Sequence, residues 1–335
     1  MPLPVIDAHA LHSGTAEELA AFDRELFSAF VRDGAVKLKN TAISDDQIER
    51  TFQTCKDFFR LPAHVKNLVA NDPTQAQQRG YSVAGEEKTW FLESAKAGGP
   101  APKHGDARES IDIGAVIDTQ FPNKWLPEHV LPQHRAIMEA FFSSCADLCT
   151  SILTSLARAR QLPRADAFAA RCSHAASTAR SNHYPAVEGA LLEAGDVGRA
   201  WPHRDFGIIT LVFPGTVGGL EYENREKAGS GGVSFEPVGF TSPADIVVQA
   251  AETLQRWTND EVRACLHRVA RPDAQEMGED GLAPERTSLV FFCKADRDVS
   301  VGPMPEFVRG GEEPVYEEMT ALEYQGQRNK AHYPG

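Results

Sequence analysis

The feature that most constrains this fold is a run of short apolar segments beginning near residue 178. "GIITLVF", "GLEYEN", "DIVVQA" and "TSLVFFCKA" are rich in β-branched and aromatic residues and are separated by Gly, Pro and Asn. They do not alternate with helix-length segments. That argues against a doubly wound parallel sheet and for a sandwich or barrel. The N-terminal half reads differently. "TAEELAAFDRELFSAFVRDG" sets Leu19, Phe22, Leu26, Phe27, Phe30 and Val31 at helical spacing, with Thr15 as cap and Gly34 as stop. "SDDQIERTFQTCKDFFRLP" is a second amphipathic helix, capped by Ser44 and ended before Pro62. "PVIDAHAL" reads as a short strand and turn, and "AVKLKN" alternates like an edge strand. Residues 70–124 read as a long irregular segment of the kind that forms lids and binding loops, with Trp90 a candidate lid side chain. The longest helical pattern carries Ile137, Phe141, Cys145, Leu148, Ile152 and Leu156 in one stripe, and "ADAFAARC" reads as a further helix. The expected plan is mainly β with flanking helices.

Charge narrows the partners. Lys and Arg number 34 against 47 Asp and Glu, a net charge of -13. Phosphate backbones and anionic membranes call for the opposite sign, so neither nucleic acid nor membrane is expected as a partner. No apolar run of 18 residues is present and no basic-then-apolar leader opens the chain, so no transmembrane helix and no secretory signal are expected. The six cysteines form no C-x-x-C pair; Cys145 and Cys149 fall within the helical stripe as core thiols. A cytoplasmic monomer acting on a small-molecule substrate fits these totals.

"WPHRDFGIITLVF" raises the chemical question. His203 and Asp205 stand two apart at the mouth of an apolar strand, where residues i and i+2 share a face. The plain reading is a polar turn before a core strand. The other is a pair of metal ligands. "CLHRVARP" offers His267 on a further β-like stretch, and two imidazoles with one carboxylate form the facial set of non-haem Fe(II) oxygenases. "ERTSLVFFC" then puts Arg286 and Ser288 on one strand face, a cation and a hydroxyl suited to a carboxylate. H-x-D alone is weak; H-x-D, a distant His and R-x-S in that order form a strong joint signal.

These motifs resemble those of the Fe(II)- and 2-oxoglutarate-dependent dioxygenase superfamily, in the branch that contains isopenicillin N synthase, and the chain is more similar to its microbial natural-product members. The resemblance extends over "PVIDAHAL", "FVRDGAVKLKN", "FFRLPAHVKN", "RESIDIG", "ARSNHYP", "GLEY" and "RWTNDEVRACLHRV". It implies a double-stranded β-helix, a cupin-like jelly roll, with residues 1–120 as a helical N-terminal region packed on a core of 121–335. It implies Fe(II), 2-oxoglutarate and O2 as cofactors. His203, Asp205 and His267 would hold the iron. Arg286 and Ser288 would hold the distal carboxylate of 2-oxoglutarate, with Asn182 and Tyr184 beside it. The implied reaction oxidises a C–H bond of a secondary-metabolite substrate by hydroxylation, desaturation or ring rearrangement, releasing succinate and CO2. Three departures stand out. Ala251-Glu252 replaces Gly-Asp, expected to alter only a turn. His267 and Arg286 are 19 apart, widened by a surface loop "DAQEMGEDGLAPE". His183-Tyr184 replaces Tyr-Tyr, and His183 is not read as a fourth ligand.

Arg180, two before Asn182, is a candidate for meeting an acidic or phenolic substrate, against a plain surface cation. Phe206 and Phe292 are candidates for the substrate pocket, against ordinary core. His104, His134, His174 and His332 read as solvated or packing residues. Two other functions remain open on sequence: an iron oxidase of the isopenicillin N synthase type that uses no 2-oxoglutarate, and a non-catalytic jelly-roll binding protein.

Overall fold

The computed structural model describes residues 2–75, 77–92, 105–227, 233–240, 242, 245–310 and 313–332. Fourteen strands are found among these: β1 (Val5–Asp7), β2 (Ala35–Lys39), β3 (Gly80–Ser82), β4 (Glu109–Gly114), β5 (Thr178–Tyr184), β6 (Val187–Glu188), β7 (Ala200–His203), β8 (Ile209–Phe213), β9 (Leu220–Glu223), β10 (Phe235–Pro237), β11 (Ile246–Ala250), β12 (His267–Val269), β13 (Leu282–Ala283) and β14 (Arg286–Cys293). Eight form one sheet in the order β1-β2-β11-β8-β14-β5-β4-β3. Four form a second, β10-β9-β12-β7, and β6 pairs with β13.

Alternation along β14 explains the layering. Leu289, Phe291 and Cys293 join the larger core, where the eight-stranded sheet meets the helices. The long helix His134–Ala159 lies there, with Phe142 edge-on to Phe291 at 5.0 Å and Phe141 against Phe213 at 5.1 Å. By length and hydropathy that helix would suit a bilayer. Its apolar stripe is instead covered by the sheet, Met138, Phe141, Cys145, Cys149 and Ile152 being fully buried. On the opposite face of β14, Val290 and Phe292 join a second core with Tyr184, Ala200, Leu220, Tyr222 and Val269. Those last four belong to the small sheet, so the two sheets face each other across this core.

Local signals held at the helix ends. Thr15 accepts from the Glu18 amide while Glu18 reaches back to the Thr15 amide, a reciprocal cap that satisfies two orphan donors. Gly34 ends that helix at φ +72. Ser44 caps helix Asp45–Phe59.

Four expectations need correction. "AVKLKN" is not an edge: β1 pairs parallel with β2 on one side and β11 antiparallel on the other, and Lys37 reaches the Gly239 carbonyl at 2.7 Å. The first 120 residues are not a helical layer alone, since β1 to β4 supply half of the large sheet, and a boundary at 120 divides that sheet. Residues 70–124 are not wholly irregular: "RESIDIG" is largely β4, hydrogen-bonded to both β3 and β5. "ADAFAARC" forms turns and one 3-10 turn, Ala169–Arg171, with no capping side chain before it and an extended Cys172 after it. Eight residues without a cap do not meet the cost of nucleating a helix.

Candidate active site

His203 ends β7 and His267 begins β12, and the two are direct antiparallel partners. Their rings lie 4.3 Å apart between centroids. Asp205 is not on the strand, as its i+2 spacing had suggested; it sits in the turn after β7, where the chain bends back toward the histidines. His203 Nε2 is 3.8 Å from Asp205 Oδ1, and His267 Nε2 is 3.9 Å from Asp205 Oδ2. One ligand atom from each of the three lies within 4.8 Å of the others.

The backbone sets the donor atoms. His203 Nδ1 faces the Trp201 carbonyl at 2.7 Å and His267 Nδ1 faces the Cys265 carbonyl at 3.2 Å. A carbonyl accepts only, so each Nδ1 carries a hydrogen and each Nε2 is the atom turned to the centre, free to serve as the metal donor. Thr210 Oγ1 donates to Asp205 Oδ2 at 2.7 Å and orients the carboxylate. Two imidazoles and a carboxylate on one side, with the other side open to a cavity, fit a divalent transition metal that keeps free positions.

The facing sheet carries the remaining candidates. Arg286 pairs with Tyr184 and Ser288 with Asn182 across β14 and β5. Arg286 is 2% exposed. Its Nε donates to the Val217 carbonyl at 3.1 Å and its guanidinium lies 5.0 Å from the Tyr184 ring centroid. Burial lowers its pKa, with Tyr184 opposing. Asn182 Nδ2 donates to Ser288 Oγ at 3.4 Å. Arg286 Nη1 and Asn182 Oδ1 are buried and have no hydrogen-bond partner among the described residues. A buried guanidinium without an anion suits a ligand carboxylate.

A cavity of about 60 Å³ opens on His203 and Asp205, walled by Phe206, Phe292, Thr89, Leu92, Arg180 and Lys294. Both phenylalanines proposed for the pocket therefore line it. Trp90 does not; Thr89 and Leu92 on either side of it do, and Thr89 Oγ1 accepts from the Trp201 amide at 2.8 Å. Arg180 also lines the cavity, but not as a lone receptor for an acidic substrate. Asp112 holds its Nε and Nη2 at 2.8 and 2.6 Å, and Glu87 holds Nη1 at 2.8 Å.

His183 points away from the metal group, as expected of a residue that is not a ligand. Its Nδ1 meets Glu109 at 2.7 Å, and Lys66 Nζ meets the same carboxylate at 2.6 Å. Burial raises the Glu109 pKa, but hydrogen bonds from His183, Lys66 and Tyr81 outweigh it and hold the group down to about 2. The sign follows: a depressed carboxylate stabilises the fold above its unfolded value of 4.5, and this is lost as pH falls toward 2. Urea unfolding of wild type and Glu109→Gln will show a stability gap that is widest above pH 5 and closes between about 4.5 and 2. His134 is buried, meets Thr54 Oγ1 at 3.1 Å and is pushed down to about 4 by burial; His174 meets Thr150 Oγ1 at 2.9 Å. His134 is a packing residue, and His174 stands with Cys172 and Cys293, one ligand atom of each within 4.8 Å of the others. His104 and the side chain of His332 lie outside the described residues.

Three features escaped the sequence reading. Arg199, just before β7, is fully buried; it donates to the Pro284 carbonyl, and its Nε and Nη1 have no partner among the described residues. Burial lowers it to about 10, and Arg286 is the largest neighbouring charge acting on it. Glu252 does more than alter a turn. Its amide donates to the Asp205 carbonyl at 2.9 Å, and its carboxylate accepts from Tyr324 at 2.7 Å and ion-pairs Arg328 at 3.0 Å. It thus ties helix Ala321–His332 to the turn bearing Asp205. That helix lends Gln325 and Asn329, four apart and so on one face, to the cavity wall.

Comparison with known proteins bears on the same residues. Residues 176–295 match the 2OG-Fe(II) oxygenase superfamily, and residues 3–132 match the family described as non-haem dioxygenase in morphine synthesis N-terminal. The 2-oxoglutarate-dependent dioxygenase ecdK of Aspergillus rugulosus is 37% identical over 332 residues, 98% of each chain. The chain belongs to the Fe(II)- and 2-oxoglutarate-dependent dioxygenases. The proline hydroxylase buaE of Petromyces alliaceus is 39% identical over 309 residues, 92% of each chain. Among solved structures, a full-length Neurospora crassa protein in complex with alpha-KG and thymine superposes with a TM-score of 0.85 at 28% identity, covering 99% of this chain and 97% of that one. Fe(II), 2-oxoglutarate and O2 are this dioxygenase family's cofactors. The matched segment 176–295 contains every residue of the His-Asp-His group and of the Arg286 cluster.

Proposed function

We propose that this dioxygenase couples oxidative decarboxylation of 2-oxoglutarate to oxidation of a C–H bond in a small organic molecule of secondary metabolism, releasing succinate and CO2 with hydroxylation, desaturation or ring rearrangement of the substrate. The two facing sheets are read as the walls of a double-stranded β-helix. His203, Asp205 and His267 hold Fe(II). Arg286 and Ser288 take the distal carboxylate of 2-oxoglutarate, beside Asn182 and Tyr184. The observation that carries this reading is the buried Arg286 Nη1 with no partner among the described residues, on the sheet that faces the His-Asp-His group. Arg199 adds a second buried cation at that end, which favours a dianion over a neutral ligand.

When bound, iron and 2-oxoglutarate supply the oxidising power. The chain's own groups position and protect. The Trp201 and Cys265 carbonyls fix both imidazoles, Thr210 fixes Asp205, and Phe206 and Phe292 exclude water where the substrate meets the metal. A small substrate agrees with the cavity and with the relative named as a proline hydroxylase.

The test supplies Fe(II), O2 and candidate substrates, with and without 2-oxoglutarate, and follows succinate by mass spectrometry. Succinate formed only with 2-oxoglutarate supports the reading. Substrate oxidation that proceeds equally well without it overturns the reading in favour of an oxidase of the isopenicillin N synthase type.

A further inference from the structure

The inward face of β14 carries Arg286, Ser288, Val290 and Phe292, and the same alternation brings Lys294 to that face one residue past the strand's end. By strand rise, Lys294 lies about 26 Å along the chain from Arg286. One end of this face serves the co-substrate cluster. The other end lines the cavity at His203 and Asp205.

The cations around Lys294 differ from it in one respect. Arg180 is paired with Asp112 and Glu87, and Arg108 with Glu87 and Asp106. Arg79 and Arg297 share Asp118. Lys294 ion-pairs with no carboxylate among the described residues. Its Nζ rests 5.8 Å from the centroid of Phe292, and the Arg180 guanidinium lies 5.7 Å from the same centroid. Burial and then Arg79 push its pKa down to about 7, with Arg180 and Arg297 adding to this and Asp112 opposing. A second donor is left over in the same wall. Gln78 is 9% exposed, lines the cavity, and its Nε2 has no acceptor among the described residues.

A half-buried ammonium that arginines repel and that ion-pairs with no carboxylate among the described residues destabilises the empty protein. Such a charge, in one cavity wall with an amide nitrogen that lacks an acceptor among the described residues, matches a ligand bringing negative charge and acceptor oxygens together. One ammonium and one amide suit a monoanion; a phosphate dianion would call for more charge.

We propose that Lys294, with Gln78 in the wall of the same cavity, receives a carboxylate of the substrate, so that the natural substrate is a small carboxylic acid. This rests on the reading of the site as a 2-oxoglutarate oxygenase and narrows its substrate class. The carboxylate held at Lys294 then determines which carbon of the substrate lies at the metal.

The test uses the full chain with Fe(II) and 2-oxoglutarate under anaerobic conditions. L-proline, L-leucine, phenylacetate and benzoate are each titrated beside their primary amides, reading heat of binding. At least one acid is expected to bind tenfold or more tighter than its amide. Lys294→Met is expected to erase that preference, Lys294→Arg to keep part of it, and 2-oxoglutarate affinity to stay within about twofold in both. The thermal midpoint of the metal-free Lys294→Met protein is expected to hold or rise, because a half-buried amine that ion-pairs with no carboxylate among the described residues has been removed. Amides that bind as well as acids, an acid preference that survives Lys294→Met, or no binding by any acid while 2-oxoglutarate still binds would each overturn the carboxylate assignment. A fall in the midpoint would mark Lys294 as structural and overturn it too. Failure of 2-oxoglutarate itself to bind, read in the same cell, removes the oxygenase reading along with it.

Discussion

Asp205→Ala will abolish stoichiometric Fe(II) binding and lower 2-oxoglutarate turnover more than about a thousandfold, since the metal supplies several kcal/mol of the chemistry and each 1.36 kcal/mol is tenfold. Asp205 is the only carboxylate in the His-Asp-His group and lies within 4 Å of both Nε2 atoms. Losing it leaves two neutral nitrogens, a set without the charge that retains a divalent ion. The fold will survive, because the Glu252 amide bonds to the Asp205 backbone carbonyl and not to its side chain. Iron content by metal analysis, with circular dichroism as the control, checks this. His203→Ala and His267→Ala are expected to act alike. By contrast, Thr210→Val removes only the bond to Asp205 Oδ2 and is expected to weaken metal affinity by about 10–100-fold.

Arg286→Met will raise the KM for 2-oxoglutarate by roughly thirtyfold to several thousandfold, while iron binding persists. Truncating one side of a buried, hydrogen-bonded charge pair costs about 2–5 kcal/mol, and each 1.4 kcal/mol is tenfold. Arg286→Lys will not rescue it fully, because an ammonium cannot present the planar fork and stacks poorly on Tyr184. Folding should suffer little from the Met variant. Arg286 is buried and Nη1 is without a partner among the described residues, so removing its charge relieves a cost in the ligand-free protein. Steady-state kinetics with varied 2-oxoglutarate, beside a thermal melt, separates the two effects. A large KM change with an unchanged melting point is the expected pattern.

The chemistry was legible in the sequence more fully than the architecture. His203, Asp205, His267 and R-x-S could be read because few other tasks need those residue types in that order. The pairing of β2 could not. Alternation in "AVKLKN" marks a half-buried strand, and nothing local to it says that β1, some thirty residues earlier, covers its free edge. The same limit hid β4, whose six residues lie in a stretch rich in Gly, Pro and charge that reads as loop. Glu252 looked like a conservative exchange in a turn, and only its contacts to Tyr324 and Arg328 reveal that it holds the last helix to the metal-binding turn. Arg180 and Lys294 make the sharpest contrast. Both are cations on inward strand faces, visible by period two in "TARSN" and "RTSLVFFCK". Which of them is neutralised depends on Asp112 and Glu87, which are distant in sequence, so it emerges only when the sheets are assembled.

Anaerobic titration of the Fe(II)-loaded protein with 2-oxoglutarate tests the central claim most directly, by following the weak visible charge-transfer band of the chelate. The account predicts that the band grows to one equivalent, weakens in Arg286→Met at equal 2-oxoglutarate, and is absent in Asp205→Ala. Iron bound at one equivalent with no band at any 2-oxoglutarate concentration would contradict it.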